Sequence, residues 1–211
     1  PIYEGSGLVD GQVLNSFSLS EYEGHLRVAT TERPNSPMIP VEDIREVIEP
    51  SQSLNHLFVF KLADKENSEL EQVGSVLNLA PGERVQSARF VSDRGYLVTF
   101  RQVDPLFTFD LSTPAKPTLE GELKIPGFSN YMHPVGETHL LTVGPAGDDD
   151  GLSGEWQAQL FDVSDLTNPE QVDTLIPSEL KGGRAYSEAG WDHHAFTYDP
   201  RSRLLVTPIQ G

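Results

Sequence analysis

The residues most suited to metal or acid–base chemistry are two adjacent histidines that follow an aspartate, in the segment GWDHHAFTYDP. Imidazole and carboxylate groups together suit zinc and other transition ions. Asp192, His193 and His194 lack the HExxH spacing of a zinc protease. If this segment is a strand, its successive side chains point to opposite faces, and the two imidazoles do not easily share one ion. The pattern therefore favours histidines that form structural hydrogen bonds, with a metal site as the alternative.

A second candidate is the acidic stretch GDDDGLSGE, because calcium prefers several oxygen ligands. Asp148, Asp150 and Glu155 could supply carboxylate oxygens. The stretch lacks the alternating acids and the fixed frame of an EF-hand loop. The stretch therefore favours a solvated acidic turn, and no cofactor is predicted; a bound calcium ion is the alternative interpretation.

Signatures of nucleophilic or nucleotide chemistry are missing from the sequence. The segment GFSNY lacks the second glycine of a nucleophile elbow, and neither a P-loop nor a GxGxxG motif occurs. Two carboxylates can hydrolyse glycosides, but 32 acidic residues make any chosen pair unspecific. The enzyme alternative is thus a metal-dependent or carboxylate-dependent hydrolase, for example one acting on glycosides.

Composition limits the possible partners of the protein. The 211 residues carry 15 basic and 32 acidic side chains, a net charge of −17 that would repel nucleic acid and anionic membranes. No apolar run is long enough to cross a bilayer, so membrane insertion is not predicted. Cysteine is absent, which excludes thiol chemistry and disulfides.

The elements that must position these residues come from an internal repeat. Three segments share an aromatic–x–aliphatic strand, a polar turn and a second strand, anchored at Phe60, Phe109 and Phe161. Two further strand signatures precede each segment. Val, Leu, Phe and Thr dominate the strands, and Gly, Pro, Asp, Asn and Ser dominate the joints. Units of four short strands every 40 to 50 residues or so predict an all-β fold, a β-propeller of four-stranded antiparallel blades.

The chain supplies about three and a half blades of this propeller, which leaves the ring incomplete. We expect one propeller segment over residues 1–211, as part of a longer chain, with blades at about 13–78, 84–126 and 128–177 and a partial blade at 191–207. Exposed strand edges pair readily. The missing strands are therefore expected from the remainder of the propeller or from a second chain.

The propeller geometry places the candidate residues near the central channel. In the repeat alignment, His133 lies on the inner strand beside the segment of His193 and His194, and Arg89 adds a positive charge. Together with Asp192, these residues are the predicted binding cluster. Scaffolds carry function on loops, and three long loops are expected on one face, at 31–55, 144–156 and 178–190.

Several stretches, among them LAPGERVQSARFVSDRGYLVTFRQVDPLFTFDLSTPAKP and FDVSDLTNP, resemble the secreted β-propeller domain family of bacteria and archaea. That family is only distantly similar to WD-repeat proteins. The resemblance extends over nearly the whole chain and implies a propeller fold and an extracellular or periplasmic location. It implies no activity. The chain departs from the family in its length, which corresponds to a part of the family's domain.

These observations together predict a non-enzymatic, secreted or surface scaffold or recognition module. Its expected partner is a protein or a cell-surface ligand. The alternative is the hydrolase described above, with its site at the mouth of the channel.

Overall fold

A computed structural model describes most of the chain, and all structural statements concern this part. The described residues are 3, 5–33, 52–64, 69–100, 104–125, 127, 129–148, 151–177 and 184–211. Their regular structure consists of β-strands and short 3-10 helices. No helix among them has the length and apolar character that spanning a membrane requires.

Three antiparallel sheets of four strands each follow one another along the chain. The first contains β1 (Leu19–Tyr22), β2 (His25–Glu32), β3 (Leu54–Asp64) and β4 (Glu69–Leu79). The second contains β5 (Arg84–Val91), β6 (Arg94–Phe100), β7 (Asp104–Asp110) and β8 (Thr118–Ile125). The third contains β9 (Tyr131–Val135), β10 (His139–Asp148), β11 (Gly151–Asp162) and β12 (Glu170–Leu175). Within each sheet, neighbours in the chain are neighbours in space.

A hairpin of two strands, β13 (Thr197–Asp199) and β14 (Leu204–Val206), follows the third sheet. The prediction of an all-β propeller with about three and a half blades is therefore confirmed. The middle strands of the blades are buried on both faces, because each sheet is covered by its neighbours. In β6, for example, Gly95 to Thr99 are all buried. This explains why such strands are nearly continuous apolar runs.

Apolar clusters fill the spaces between sheets. The first two sheets share a cluster that includes Leu57, Leu97 and Phe109, all fully buried. The second and third sheets share another, which includes Tyr96 and Phe161. A third cluster joins β9, β10 and β11 to the C-terminal hairpin. The core is thus a series of layers between blades.

Two expected elements differ from the structure. The stretch 144–156 was expected to be a long loop, yet β10 and β11 remain paired as far as Asp148 and Gly151. Cross-strand pairing of Pro145 with the buried Trp156 extends the hairpin despite its glycines. Pairing with the partner strand thus overrides the turn-like composition.

The inner strands of the first and last blades begin later than the repeat predicts. Residues 16–18 form a 3-10 helix, η1, and residues 193–195 form another, η2. In each case the preceding side chain, Asn15 or Asp192, accepts a hydrogen bond from the backbone two residues on. Asn and Asp offer this local alternative to strand pairing. Of the other long loops, residues 34–51 and 178–183 lie outside the described residues.

Candidate functional site

The candidate site lies where the inner elements of the blades converge. Here η1 contacts β5, and β5 contacts β9. Arg89 comes from β5, and Phe17 comes from η1. Tyr131 and His133, two residues apart on β9, are presented on the same face of that strand. His193, on η2, completes the group, which we call the inner cluster.

Arg89 is the positive charge of this cluster. Its Cζ lies 4.5 Å from the centre of the Phe17 ring and 5.9 Å from that of Tyr131, so the guanidinium makes cation–π contacts with both. Burial lowers the pKa of Arg89 below its ordinary value, and Tyr131 opposes the shift. Within the described part of the chain, Arg89 forms no ion pair with a carboxylate.

Tyr131 and His133 form the uncharged side of the inner cluster. The Tyr131 hydroxyl lies 3.4 Å from Nδ1 of His133. Burial raises the pKa of Tyr131, and burial followed by the positive charge of Arg89 lowers the pKa of His133. Both side chains are therefore neutral at pH 7. The Phe196 ring packs against both, with its centre 4.9 Å from the centre of the Tyr131 ring and 5.1 Å from that of the His133 ring.

Asp192, His193 and His194 form an exposed turn at the margin of the inner cluster. Oδ1 of Asp192 accepts hydrogen bonds from the backbone N–H of His194 at 3.0 Å and from its Nδ1 at 2.9 Å. These bonds to His194 lower the pKa of Asp192. The imidazole of His193 meets the Phe17 ring edge-on, with the ring centres 5.1 Å apart.

The turn overturns one expectation from the sequence. A strand would direct the two imidazoles to opposite faces, but η2 places their ring centres 4.1 Å apart. One ligand atom from each of Asp192, His193 and His194 lies within 4.8 Å of the others. The expectation that His193 and His194 lie on a strand, with their imidazoles on opposite faces, is therefore wrong.

The structure brings the predicted binding residues together. Arg89, His133 and His193 are joined through the rings of Phe17 and Tyr131, and Asp192 and His194 adjoin His193 in the turn. That these residues bind a ligand stays a prediction.

The predicted calcium ligands fall largely outside the described residues. Asp150 and the side chain of Asp148 are not described. Glu155 lies on β11, beside the buried Trp156. The calcium hypothesis therefore stays a prediction.

The aromatic residues that connect the cluster were not predicted from the sequence. Phe17, Tyr131, Phe196 and Tyr198 all take part, and Tyr198 lies 5.6 Å from His133 between ring centres. Their spacing carried a signal. Tyr131 precedes His133 by two residues and Phe196 precedes Tyr198 by two, as expected for side chains that share one face of a strand.

Comparisons with known proteins agree with this architecture. The family model described as the beta propeller domain matches residues 1–211. The chain is 37% identical over 203 residues to an uncharacterized protein of Methanocaldococcus jannaschii. It is 39% identical over 205 residues to an uncharacterized protein of Archaeoglobus fulgidus. These alignments cover 96% and 97% of this chain and 28% of each relative. The chain spans less than a third of the relatives it matches, and it belongs to the beta propeller domain family.

Proposed function

We propose that the chain is a non-enzymatic recognition module that binds a carboxylate-bearing group of a cell-surface ligand at the inner cluster. A β-propeller domain suggests a scaffold or binding module. The observation that carries the finer proposal is Arg89, a half-buried cation with no carboxylate partner among the described residues.

The charge balance of the chain makes this arginine unusual. Acidic residues outnumber basic ones by 32 to 15, so a carboxylate partner for a structural arginine would be easy to supply. Burying a charge without a partner costs free energy. The guanidinium presents a planar set of donors that matches a carboxylate. A ligand carboxylate would supply the partner that Arg89 lacks.

The rings around Arg89 suit a ligand with apolar faces beside its carboxylate. Phe17 and Tyr131 flank the guanidinium, and His133 is held neutral, so it can exchange hydrogen bonds without adding charge. An acidic sugar such as a uronate combines a carboxylate with apolar ring faces. The net charge of −17 disfavours a long polyanion such as nucleic acid, and hence favours a ligand with few charges.

The proposal includes the setting in which the module works. We propose that the protein is extracellular or periplasmic, as the resemblance of its sequence to the secreted β-propeller domain family implies. We propose further that its propeller is completed by other segments of a longer protein or by a second chain. The relatives, which are more than three times longer than the matched region, support this.

Paired binding measurements test the proposal. Titration calorimetry compares a glucuronate-containing disaccharide with its glucose counterpart, in which a hydroxymethyl group replaces the carboxylate. The glucuronate compound should bind and the glucose compound should bind at least about tenfold more weakly, as loss of a charge-assisted hydrogen bond predicts. Arg89→Gln should weaken glucuronate binding by about tenfold or more.

Arg84→Gln is the matched control, because Arg84 lies on the same strand, β5, and is exposed. It should leave binding unchanged. Equal binding of both disaccharides, or equal losses in the two arginine variants, would show that the inner cluster does not recognise a carboxylate.

A further inference from the structure

We infer that Asp192, His193 and His194 form a surface site for a divalent transition-metal ion of the zinc class. The observation is their convergence in one 3-10 turn, with ligand atoms within 4.8 Å of one another. This inference does not use Arg89, and it can therefore succeed or fail independently of the proposed carboxylate recognition.

The donor set is the first argument. Two imidazole nitrogens and one carboxylate oxygen suit Zn²⁺, Cu²⁺ and Ni²⁺ better than calcium, which prefers oxygen alone. A tetrahedral zinc ion with bonds of about 2.0–2.1 Å requires its ligand atoms roughly 3.4 Å apart. All three side chains are exposed. Small side-chain rotations can therefore bring the three ligand atoms to this distance without disturbing the core.

The turn is the second argument, since it holds two ligands side by side. Nδ1 of His194 and Oδ1 of Asp192 are already 2.9 Å apart. An ion can replace the proton that these atoms share, because metal binding releases protons from its ligands. No new backbone conformation is needed to bring the nitrogen and the oxygen together.

The anchoring of the turn is the third argument. The backbone N–H of Ala195 donates to the carbonyl of Asp192 at 3.0 Å, and that of Phe196 donates to the carbonyl of His193 at 3.2 Å. The Phe196 side chain is buried. The His193 ring rests edge-on against Phe17. These contacts therefore fix the turn, while its ligand atoms remain accessible. Less conformational entropy is then lost when an ion binds.

The number of ligands defines the class of site. Three protein ligands leave at least one position on a tetrahedral ion for water or for a donor atom of a partner. Structural zinc sites are closed by four protein ligands. The turn thus resembles an open site, one that can bind a ligand through the metal rather than one that stabilises the fold.

Zinc titration calorimetry on the whole chain tests the inference. One Zn²⁺ should bind per chain with a Kd of about 10 μM or tighter, a value that three ligands can reach and an isolated surface histidine does not. His193→Ala and His194→Ala should each weaken zinc binding by about tenfold or more. The double variant His25→Ala/His139→Ala, which also removes two histidines but none from the turn, should bind zinc as the parent does.

A spectroscopic readout locates the ion. Trp191 adjoins Asp192 and is 69% exposed, whereas the only other tryptophan, Trp156, is 4% exposed. Cu²⁺ should quench the fluorescence of the parent, and Trp191→Phe should lose most of this quenching. Zinc binding that survives in the His193→Ala/His194→Ala variant, or a parent that binds no zinc near 10 μM, would overturn the site. Because Trp191, His193 and His194 are exposed, an unchanged circular dichroism spectrum is expected for the variants at these positions.

Discussion

The junctions between blades fall into two kinds. At the first two, a glycine in the outermost strand of one sheet lies against a loop of the next sheet. A Cβ added to Gly74 would lie 2.2 Å from the carbonyl oxygen of Pro114, and one added to Gly121 would lie 2.3 Å from that of Leu166. Neither position therefore has space for a side chain larger than the hydrogen atom of glycine. The two junctions are therefore closed by backbone packed directly on backbone.

The third junction lacks this contact. Strand register places Gly74 opposite Val59, Gly121 opposite Thr108 and Asp173 opposite Leu160, in each case next to a β-bulge. Asp173 thus occupies the position that glycine holds in the first two sheets. All residues of β12 are exposed.

A groove of about 610 Å³ replaces the close contact at this junction. It is lined by strands of the third sheet and by residues of the C-terminal hairpin, including Tyr198 and Leu205. Aromatic packing of Phe196 on Tyr131 joins the hairpin to the third sheet instead. Part of the candidate site, Tyr131 and His133, lies at this junction, where both rings pack against Phe196.

The largest effect is expected from the side chain that holds the third junction. Phe196→Ala should lower the free energy of unfolding by about 3–4 kcal/mol, because it leaves a cavity beneath Tyr131 and His133. Urea unfolding followed by the fluorescence of Trp156, which packs in the same cluster, measures the loss. Phe196→Leu should recover most of the stability. Equal losses in the two variants would indicate that cavity formation is not the cause.

A somewhat smaller effect is expected where backbone meets backbone. Gly121→Ala should cost about 2–3 kcal/mol, because its methyl group would collide with the carbonyl of Leu166 and that loop must move. Gly74→Ala should cause a similar loss of stability at the first junction, and urea unfolding measures the free energy of unfolding of both variants. Gly24→Ala is an instructive control, since its Cβ meets nothing within 4 Å and only its positive φ opposes the substitution. A Gly121→Ala protein as stable as the parent would contradict the close contact.

The two kinds of junction show what the sequence can and cannot reveal. Strand composition and the repeat of Phe60, Phe109 and Phe161 were sufficient to predict the blades, because apolar runs between turn residues are local features. The role of Gly121 could not be predicted in this way. Glycine is required at this position because a loop 45 residues further along the chain, at Leu166, leaves no space for a side chain.

The candidate site was only partly predictable for a related reason. Residue type and repeat position were enough to select Arg89, His133 and His193. The turns capped by Asn15 and Asp192 were not foreseen, because a single side-chain hydrogen bond decides between strand and 3-10 helix at these places. Those turns direct the Phe17 and His193 rings into the same cluster.

A pH effect should distinguish the third junction from the other two. Burial and Arg89 lower the pKa of His133 in the folded state. Histidine in an unfolded chain has a pKa of about 6.5. Below that pH, His133 therefore binds a proton in the unfolded chain but remains largely unprotonated in the folded chain until the pH falls further. The contribution of His133 to stability is present above that pH and is lost as the pH falls from 6.5 toward the lower folded value.

The variant His133→Phe keeps a ring against Phe196 and Tyr198 and removes the titration. Urea unfolding at several values between about pH 7.5 and 5.5 should show a steeper loss of stability on acidification in the parent than in the variant. The matched control is His25→Phe, which removes a histidine from β2 of the first sheet. Parallel slopes in the parent and His133→Phe would rule out a pH-sensitive third junction.

The smallest effect is expected at Asp173, the position that glycine occupies in the other sheets. Its side chain is exposed and accepts a hydrogen bond from the N–H of Thr174 at 2.8 Å. Asp173→Ala should therefore change the free energy of unfolding by no more than about 0.5 kcal/mol, as for most surface substitutions. The reciprocal change, Gly121→Asp, should abolish cooperative urea unfolding, because a larger side chain cannot share space with the carbonyl of Leu166. If Asp173→Ala and Gly121→Asp destabilised the protein equally, the equivalent positions would not differ in packing, and the distinction between the junctions would be lost.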